Sequence, residues 1–203
     1  MDHLPVFLDI KGRRALVVGG GDAAGRKARL LAKAGAEVTV VAASPCSDLL
    51  SMTRAGEVTL EVRDFDDGDV IGRAIVISAI GTRREDAAVS RAAQAAGVLV
   101  NVVDTPALCS FIMPAIVERD AITVAISSGG TAPILARSVR LRIERMLPPG
   151  IGRLARFAES FRGAVKATHP EPLARRRFWE RFFDGAMAEM VLKGTIAGRA
   201  NAC

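Results

Sequence analysis

One stretch constrains this chain more than any other. Residues 14–28 read Arg-Ala-Leu-Val-Val-Gly-Gly-Gly-Asp-Ala-Ala-Gly-Arg-Lys-Ala: an apolar run, then a glycine turn, then helix-forming sequence. Gly19, Gly21 and Ala24 fall at the spacing of the G-x-G-x-x-G/A fingerprint. In that pattern the first glycine permits a tight turn, the second lets a pyrophosphate approach the backbone, and the third small residue lets the helix pack on the strand. The phosphates would sit on the free N–H groups of the helix N-terminus.

Glycine clusters occur in many turns, so the flanking sequence has to decide. Residues 14–18 suit a buried strand, residues 23–34 an amphipathic helix, and Gly35 a helix stop; residues 37–42, alternating about Val38, Val40 and Val41, suit the next parallel strand. This context predicts a dinucleotide site at Gly19 and Gly21. The acidic residue expected about 20 positions further on, where it bonds the ribose 2′-hydroxyl, is absent: the second strand ends Val41-Ala42-Ala43-Ser44. Ribose contacts then fall to the backbone of Ala43 and to Ser44, and residue charge does not choose between NAD and NADP. Arg26, Lys27 and Arg29 lie too early for a 2′-phosphate clamp and read as a solvated helix face.

The 203 residues give room for one α/β domain plus an appendage, and a hydrophobic content of 50% is ample for a core. There is no run of about 18 uncharged apolar residues to span a membrane, and Met1-Asp2-His3-Leu4-Pro5 lacks the pattern of a secretory leader, so a cytoplasmic protein is expected. Cys46, Cys109 and Cys203 are too few and too scattered for a disulfide framework or a thiolate metal cage. The net charge of +6 calls for an anionic partner. Nucleic acid is disfavoured, because aromatic residues make up 4% of the chain with no Tyr, and six of them crowd into the tail instead of interleaving with basic residues. A small polyanion fits better.

Along the chain, residues 47–55 suit a short helix and residues 58–62 a third strand. The four aspartates of residues 64–69 lack the ligand spacing of a calcium loop and read as a solvated turn. Residues 74–80 form a β-branched run that would deliver Gly81 and Thr82 to the cofactor crevice. A helix over residues 84–96 and a strand over 98–103 follow, and this alternation predicts a doubly wound parallel sheet. Asp104 stands just past that last strand, on the edge where open α/β sheets place their sites, and reads equally as a catalytic group or a loop cap. After a strand over residues 121–126, Ser127-Ser128-Gly129-Gly130-Thr131 leads into a helix ending at Met146. It reads as a second anion cradle, with Thr131 as N-cap, or as simple capping. Leu147-Pro148-Pro149-Gly150 then breaks the chain into a helical tail, where ten cations, Arg199 among them, stand against five acids. Phe178, Trp179, Phe182 and Phe183 beside Arg175, Arg176 and Arg177 imply that this tail also packs, on the main domain or on a second subunit. The expected organisation is an N-terminal Rossmann-like domain over residues 1–113, a small dimerisation and substrate-loop region over 114–147, and a C-terminal helical domain over 148–203.

Several separated stretches together resemble one family, the precorrin-2 dehydrogenase/sirohydrochlorin ferrochelatase that forms the N-terminal part of sirohaem synthase. They are Met1 to Pro5, Val18 to Asp22 with Arg26 to Leu31, Asn101 to Asp104, Ser110 to Pro114, Ser127 to Thr131, and Arg175 to Trp179. The resemblance implies a homodimer that oxidises precorrin-2 to sirohydrochlorin with NAD and then inserts ferrous iron, a substrate, to give sirohaem. It implies that Asp104 is the catalytic aspartate, that Asp22, Ala23, Ala43 and Ser44 contact NAD, and that Ser127, Ser128, Gly129, Gly130 and Thr131 border the tetrapyrrole. A polycarboxylate macrocycle also accounts for a basic chain without nucleic-acid features, and it supplies its own nitrogen ligands, so no protein metal site is expected. Gly25 stands where the family commonly has Glu, and uroporphyrinogen methylation is not expected of these residues. Two other readings stay open: a dehydrogenase without chelatase activity, and a non-catalytic NAD-sensing module.

Overall fold

The structure is a computed structural model that describes residues 2–196, so Arg199 and Cys203 lie outside the described residues. The described residues form two compact units, which divide between Met113 and Pro114.

In the first unit the strands β1 (Arg14–Val18), β2 (Glu37–Val41), β3 (Thr59–Glu61), β4 (Ile75–Ser78) and β5 (Leu99–Val102) make one parallel sheet in the order β3-β2-β1-β4-β5. The helices α1 (Asp22–Lys33), α2 (Ser47–Arg54) and α3 (Arg83–Ala95) cover it, with short 3-10 turns at Asp67–Val70 and Pro106–Leu108. Period-two alternation sends successive residues of β1 to opposite faces. Ala15 and Val17 pack with Ala24, Ala28 and Leu31 of α1 and with Leu49 and Met52 of α2. Leu16 and Val18 pack instead with Val89 and Ala93 of α3 and with Val70. Both faces are therefore buried, which is why the central strands are continuous apolar runs and why the sheet is doubly wound. Ala24, the third small residue of the fingerprint, is fully buried in the α1 face.

In the second unit β6 (Ala115–Arg119) and β7 (Ile122–Ile126) form an antiparallel hairpin, turned at Asp120 with φ +59°. Sequence patterning predicts β7 but not β6. β6 follows Pro114 directly and is short, and only its pairing with β7 makes it a strand. The helix α4 (Pro133–Met146) lies on β6, fixed by Arg140 Nε donating to the Ile116 carbonyl at 3.0 Å and by the Arg119–Glu144 ion pair at 3.2 Å. The described part of the tail is three helices, α5 (Ile151–Thr168), α6 (Pro172–Phe183) and α7 (Ala186–Lys193), broken by Pro170 and Pro172 and by Gly185. Leu154, Ala188 and Val191 are its buried core, with Ile151, Phe157 and Phe182 packed against them. The tail aromatics pack on one another: Phe157 and Phe182 stack at 5.8 Å, and Trp179 meets Phe182 edge-on at 5.6 Å.

Candidate functional site

A parallel sheet delivers all its strand ends to one edge, and the first unit gathers its polar loops there. The glycine turn is clamped from two sides. Gly19 has φ +128°, and a Cβ there would lie 2.4 Å from the Ala79 carbonyl oxygen, against the exit of β4. A Cβ at Gly20 would lie 2.0 Å from the Ser44 carbonyl oxygen, at the exit of β2, where Cys46 N–H also donates to the Gly20 carbonyl at 2.7 Å. Gly20 is the unspecified position of the fingerprint, so the motif did not single it out.

Gly21 is different. Its φ of −82° is ordinary, and nothing lies within 4 Å of where a Cβ would stand. The space in front of α1 is open, and no side chain caps that helix. Its first-turn N–H groups thus face open space next to a backbone that can be approached closely, which is the fit a pyrophosphate requires. Gly19, Gly21, Ala43 and Ser44 line one crevice of about 450 Å³, and Arg63, Phe65, Ile80 and Glu85 complete its walls. That volume lies within the usual range for small-molecule sites. Asp22 and Ala23 begin α1 beside it.

Gly81 and Thr82 carry the chain from β4 into α3. Thr82 occupies the N-cap position, and its hydroxyl bonds the carboxylate of Glu85. The Gly81 N–H donates at 3.2 Å to Asp86, a buried carboxylate that also accepts from Ser78 Oγ at 2.6 Å. Asp86 therefore sets the path of this loop; it sits in an ordinary helical stretch, with no sequence signal to mark it.

Asp104 is exposed, two residues beyond β5, with φ +58°, a left-handed conformation that Asp tolerates better than most side chains. The turn is tied down by Val103 N–H to the Ser78 carbonyl at 2.9 Å and by Cys109 Sγ, which accepts from Val102 N–H at 3.1 Å. Lys27 lies within the field of this carboxylate. Partial burial, and next the Arg26 charge, lower the Lys27 pKa, while Asp104 raises it. The expectation of a solvated helix face holds for Arg26 and for Arg29, which pairs in solvent with Asp48 of α2, and needs correction only at Lys27, which is half-buried and feels the Asp104 charge. Side-chain placement on a helix that packs on two neighbours decides this, and charge spacing in the sequence does not report it. Asp48 also explains Gly25, where a Cβ would stand 3.0 Å from the Asp48 carboxylate.

Ser127 to Thr131 form the turn between β7 and α4 in the second unit. Ser127 Oγ accepts from Gly129 N–H at 3.0 Å and Ser128 Oγ from Ala132 N–H at 3.1 Å, while Gly129 and Gly130 have φ of +64° and +86°. Thr131 is not the N-cap of α4. That position is Ala132, with Pro133 opening the helix, because proline's fixed φ suits the first helical residue. Among the described residues no group of three or more His, Cys, Asp or Glu side chains could hold a metal ion, and no helix is long and apolar enough to cross a membrane.

Comparison with known proteins agrees with this layout. Residues 6–115 match a family described as putative NAD(P)-binding, residues 119–146 the sirohaem biosynthesis protein central region, and residues 150–199 the sirohaem synthase dimerisation region. The chain is 51% identical over 197 residues to a siroheme synthase of Pseudomonas paraeruginosa, which covers 97% of this chain and 42% of that protein. It is 46% identical over 198 residues to the siroheme synthase of Nitrosospira multiformis, covering 96% of this chain and 42% of that protein. The chain thus spans about two fifths of the length of the curated relatives it matches. A solved structure of SirC, a precorrin-2 dehydrogenase, shares the fold at 19% identity, with a TM-score of 0.74 over 95% of this chain and 98% of that one. The chain therefore belongs to the putative NAD(P)-binding family, and its later residues match in turn the sirohaem biosynthesis central region and the sirohaem synthase dimerisation region.

Proposed function

We propose that this chain oxidises precorrin-2 to sirohydrochlorin with NAD, as a homodimer, and that it then promotes insertion of ferrous iron, as substrate, to give sirohaem. The observation that carries the reading is the open cradle at Gly21 on the same sheet edge as the Asp104 turn, in a chain whose later residues match sirohaem-specific regions. The glycine turn, the α1 N-terminus, Ala43 and Ser44 would hold the dinucleotide, whose nicotinamide accepts a hydride. The strand order puts β3 and β5 on opposite flanks of β1, so a dinucleotide lying across the edge runs from the β2 and β3 exits toward the β4 and β5 exits.

Oxidation of the macrocycle removes a hydride and a proton. The Asp104 carboxylate, exposed at the β5 exit, would take the proton. Metal insertion releases pyrrole protons, which the same carboxylate could accept. The basic character of the chain suits a polycarboxylate substrate, and the Ser127 to Thr131 turn would border it. The region matching the sirohaem synthase dimerisation region supports the homodimer.

The test is anaerobic incubation of the purified protein with precorrin-2 and NAD, following NADH and sirohydrochlorin, and then addition of ferrous iron. NADH formation followed by sirohaem, faster than without protein, is the expected result. NADH without accelerated metal insertion would leave a dehydrogenase only, and absence of NADH would overturn the enzymatic reading.

A further inference from the structure

The Rossmann-type site lacks the acidic residue that usually discriminates NAD from NADP, since the β2 exit reads Ala42-Ala43-Ser44. The neighbouring strand supplies a different group at that place. β3 pairs with β2 in parallel register, Val41 opposite Glu61, and Ala42 N–H donates to the Glu61 carbonyl at 3.1 Å. Two residues past the end of β3, Arg63 lines the same crevice as Ala43. An arginine beside the ribose position reads, at first sight, as a 2′-phosphate clamp.

Its hydrogen bonds say otherwise. A guanidinium has five N–H donors. Arg63 Nε donates to Glu61 Oε2 at 3.0 Å; Nη1 donates to Asp69 Oδ2 at 2.8 Å and to the Asp64 carbonyl at 3.0 Å; Nη2 donates to Asp69 Oδ1 at 2.6 Å and to the Glu61 carboxylate. Five bonds use five donors, so none is left for a ligand. The cluster of one guanidinium and two carboxylates carries a net charge of −1, and Arg63 is its member on the crevice wall. Asp69 is itself fixed by accepting from Asp66 N–H at 2.9 Å within the 3-10 turn, so the arrangement is preorganised.

We propose that the Glu61–Arg63–Asp69 cluster sets the dinucleotide preference of this site, excluding a 2′-phosphate and so selecting NAD over NADP. The inference rests on the reading of the crevice as a dinucleotide site. The two carboxylates do from β3 and from the turn after it what a single acid at the end of β2 does elsewhere: they repel a dianionic phosphate and leave a neutral 2′-hydroxyl unopposed.

The experiment measures dissociation constants of NAD⁺ and NADP⁺ by calorimetry for the wild-type chain, for Glu61→Gln/Asp69→Asn, and for the triple variant that adds Arg63→Ala. The amides keep acceptor oxygens for Arg63 while removing both negative charges, and circular dichroism melts confirm that each variant is folded. The wild type is expected to prefer NAD⁺ by at least tenfold. The double variant should narrow that preference tenfold or more through tighter NADP⁺ binding, and the triple variant should lose the gain. A wild type that binds both equally, or a double variant with an unchanged ratio, overturns the proposal while leaving the dinucleotide reading intact. Failure of the wild type to bind either nucleotide overturns both.

Discussion

Asp86 offers the sharpest test of how the crevice is held. It is a buried carboxylate that accepts from Ser78 Oγ at 2.6 Å and from Gly81 N–H at 3.2 Å, so it joins the end of β4 to the Gly81–Thr82 turn, which lies between the crevice-lining Ile80 and Glu85. Replacing it with alanine leaves a buried hydroxyl and a backbone N–H without their acceptor. Each hydrogen bond to a charged group contributes about 1.5–3 kcal/mol, and relief of the carboxylate's own desolvation offsets part of the loss, so a net destabilisation of about 2–4 kcal/mol is expected. For a chain of this size that lowers Tm by roughly 5–15 °C.

Asp86→Asn retains the volume and one acceptor and should lose about half as much. The functional readout separates this role from catalysis. Asp86 touches no reacting atom, so both variants should raise the dinucleotide KM, by roughly tenfold for alanine, with a smaller change in kcat. Thermal melts and steady-state kinetics of the two variants together decide the matter. An Asp86→Ala protein that melts within about 2 °C of wild type and keeps its dinucleotide KM would refute the claim that this carboxylate positions the loop.

Three further outcomes follow from the geometry. Gly20→Ala puts a methyl group 2.0 Å from the Ser44 carbonyl oxygen; it should cost roughly 3 kcal/mol in chemical denaturation and weaken dinucleotide binding, whereas Gly21→Ala, with nothing within 4 Å, should weaken binding with little loss of stability. Asp104→Ala should lower the dehydrogenase rate by about 10²–10⁴-fold and also slow metal insertion, with a melting temperature held or slightly lowered, because Ala tolerates the left-handed turn less well than Asp; full metal insertion with dehydrogenation lost would show that the two steps use different groups. The Arg63 guanidinium above all holds the Asp69 carboxyl below the usual carboxylate range, so its contribution to stability is present above about pH 4, the unfolded value, and is lost as the pH falls through the lower folded value. Urea midpoints from pH 7 downward should fall less steeply for Asp69→Asn than for the wild type, and parallel curves would count against the pairing.

Much of this protein is written locally. The strand, glycine turn and helix of residues 14–33, the buried runs of β4 and β5, and the alternation of strands and helices through residue 102 depend on side-chain period and on glycine, which act over a few residues. That is also why Gly19, Gly21, Ala43 and Ser44 could be picked out before any coordinates. Their places in one crevice follow from where strands end, and strand ends are a local property. β6 was not legible, because a strand of five residues beside a proline becomes one only through its partner. Thr131 misled because a hydroxyl before a helix suits an N-cap, while Pro133 and the Ser128 hydroxyl already settle that end.

What only the tertiary structure decided concerns groups that act across elements. Arg63 is charged in the sequence but saturated in the fold; Asp86 is an unremarkable helical acid until its burial against Ser78 is seen; Lys27 turns from a surface lysine into a half-buried one. The sequence determines the doubly wound sheet and the glycine cradle, since periodicity and backbone freedom are carried by each residue and its near neighbours. The electrostatic character of the crevice is decided only when distant residues meet, because whether a charge is free, paired or desolvated depends on what the sheet order and helix packing bring against it.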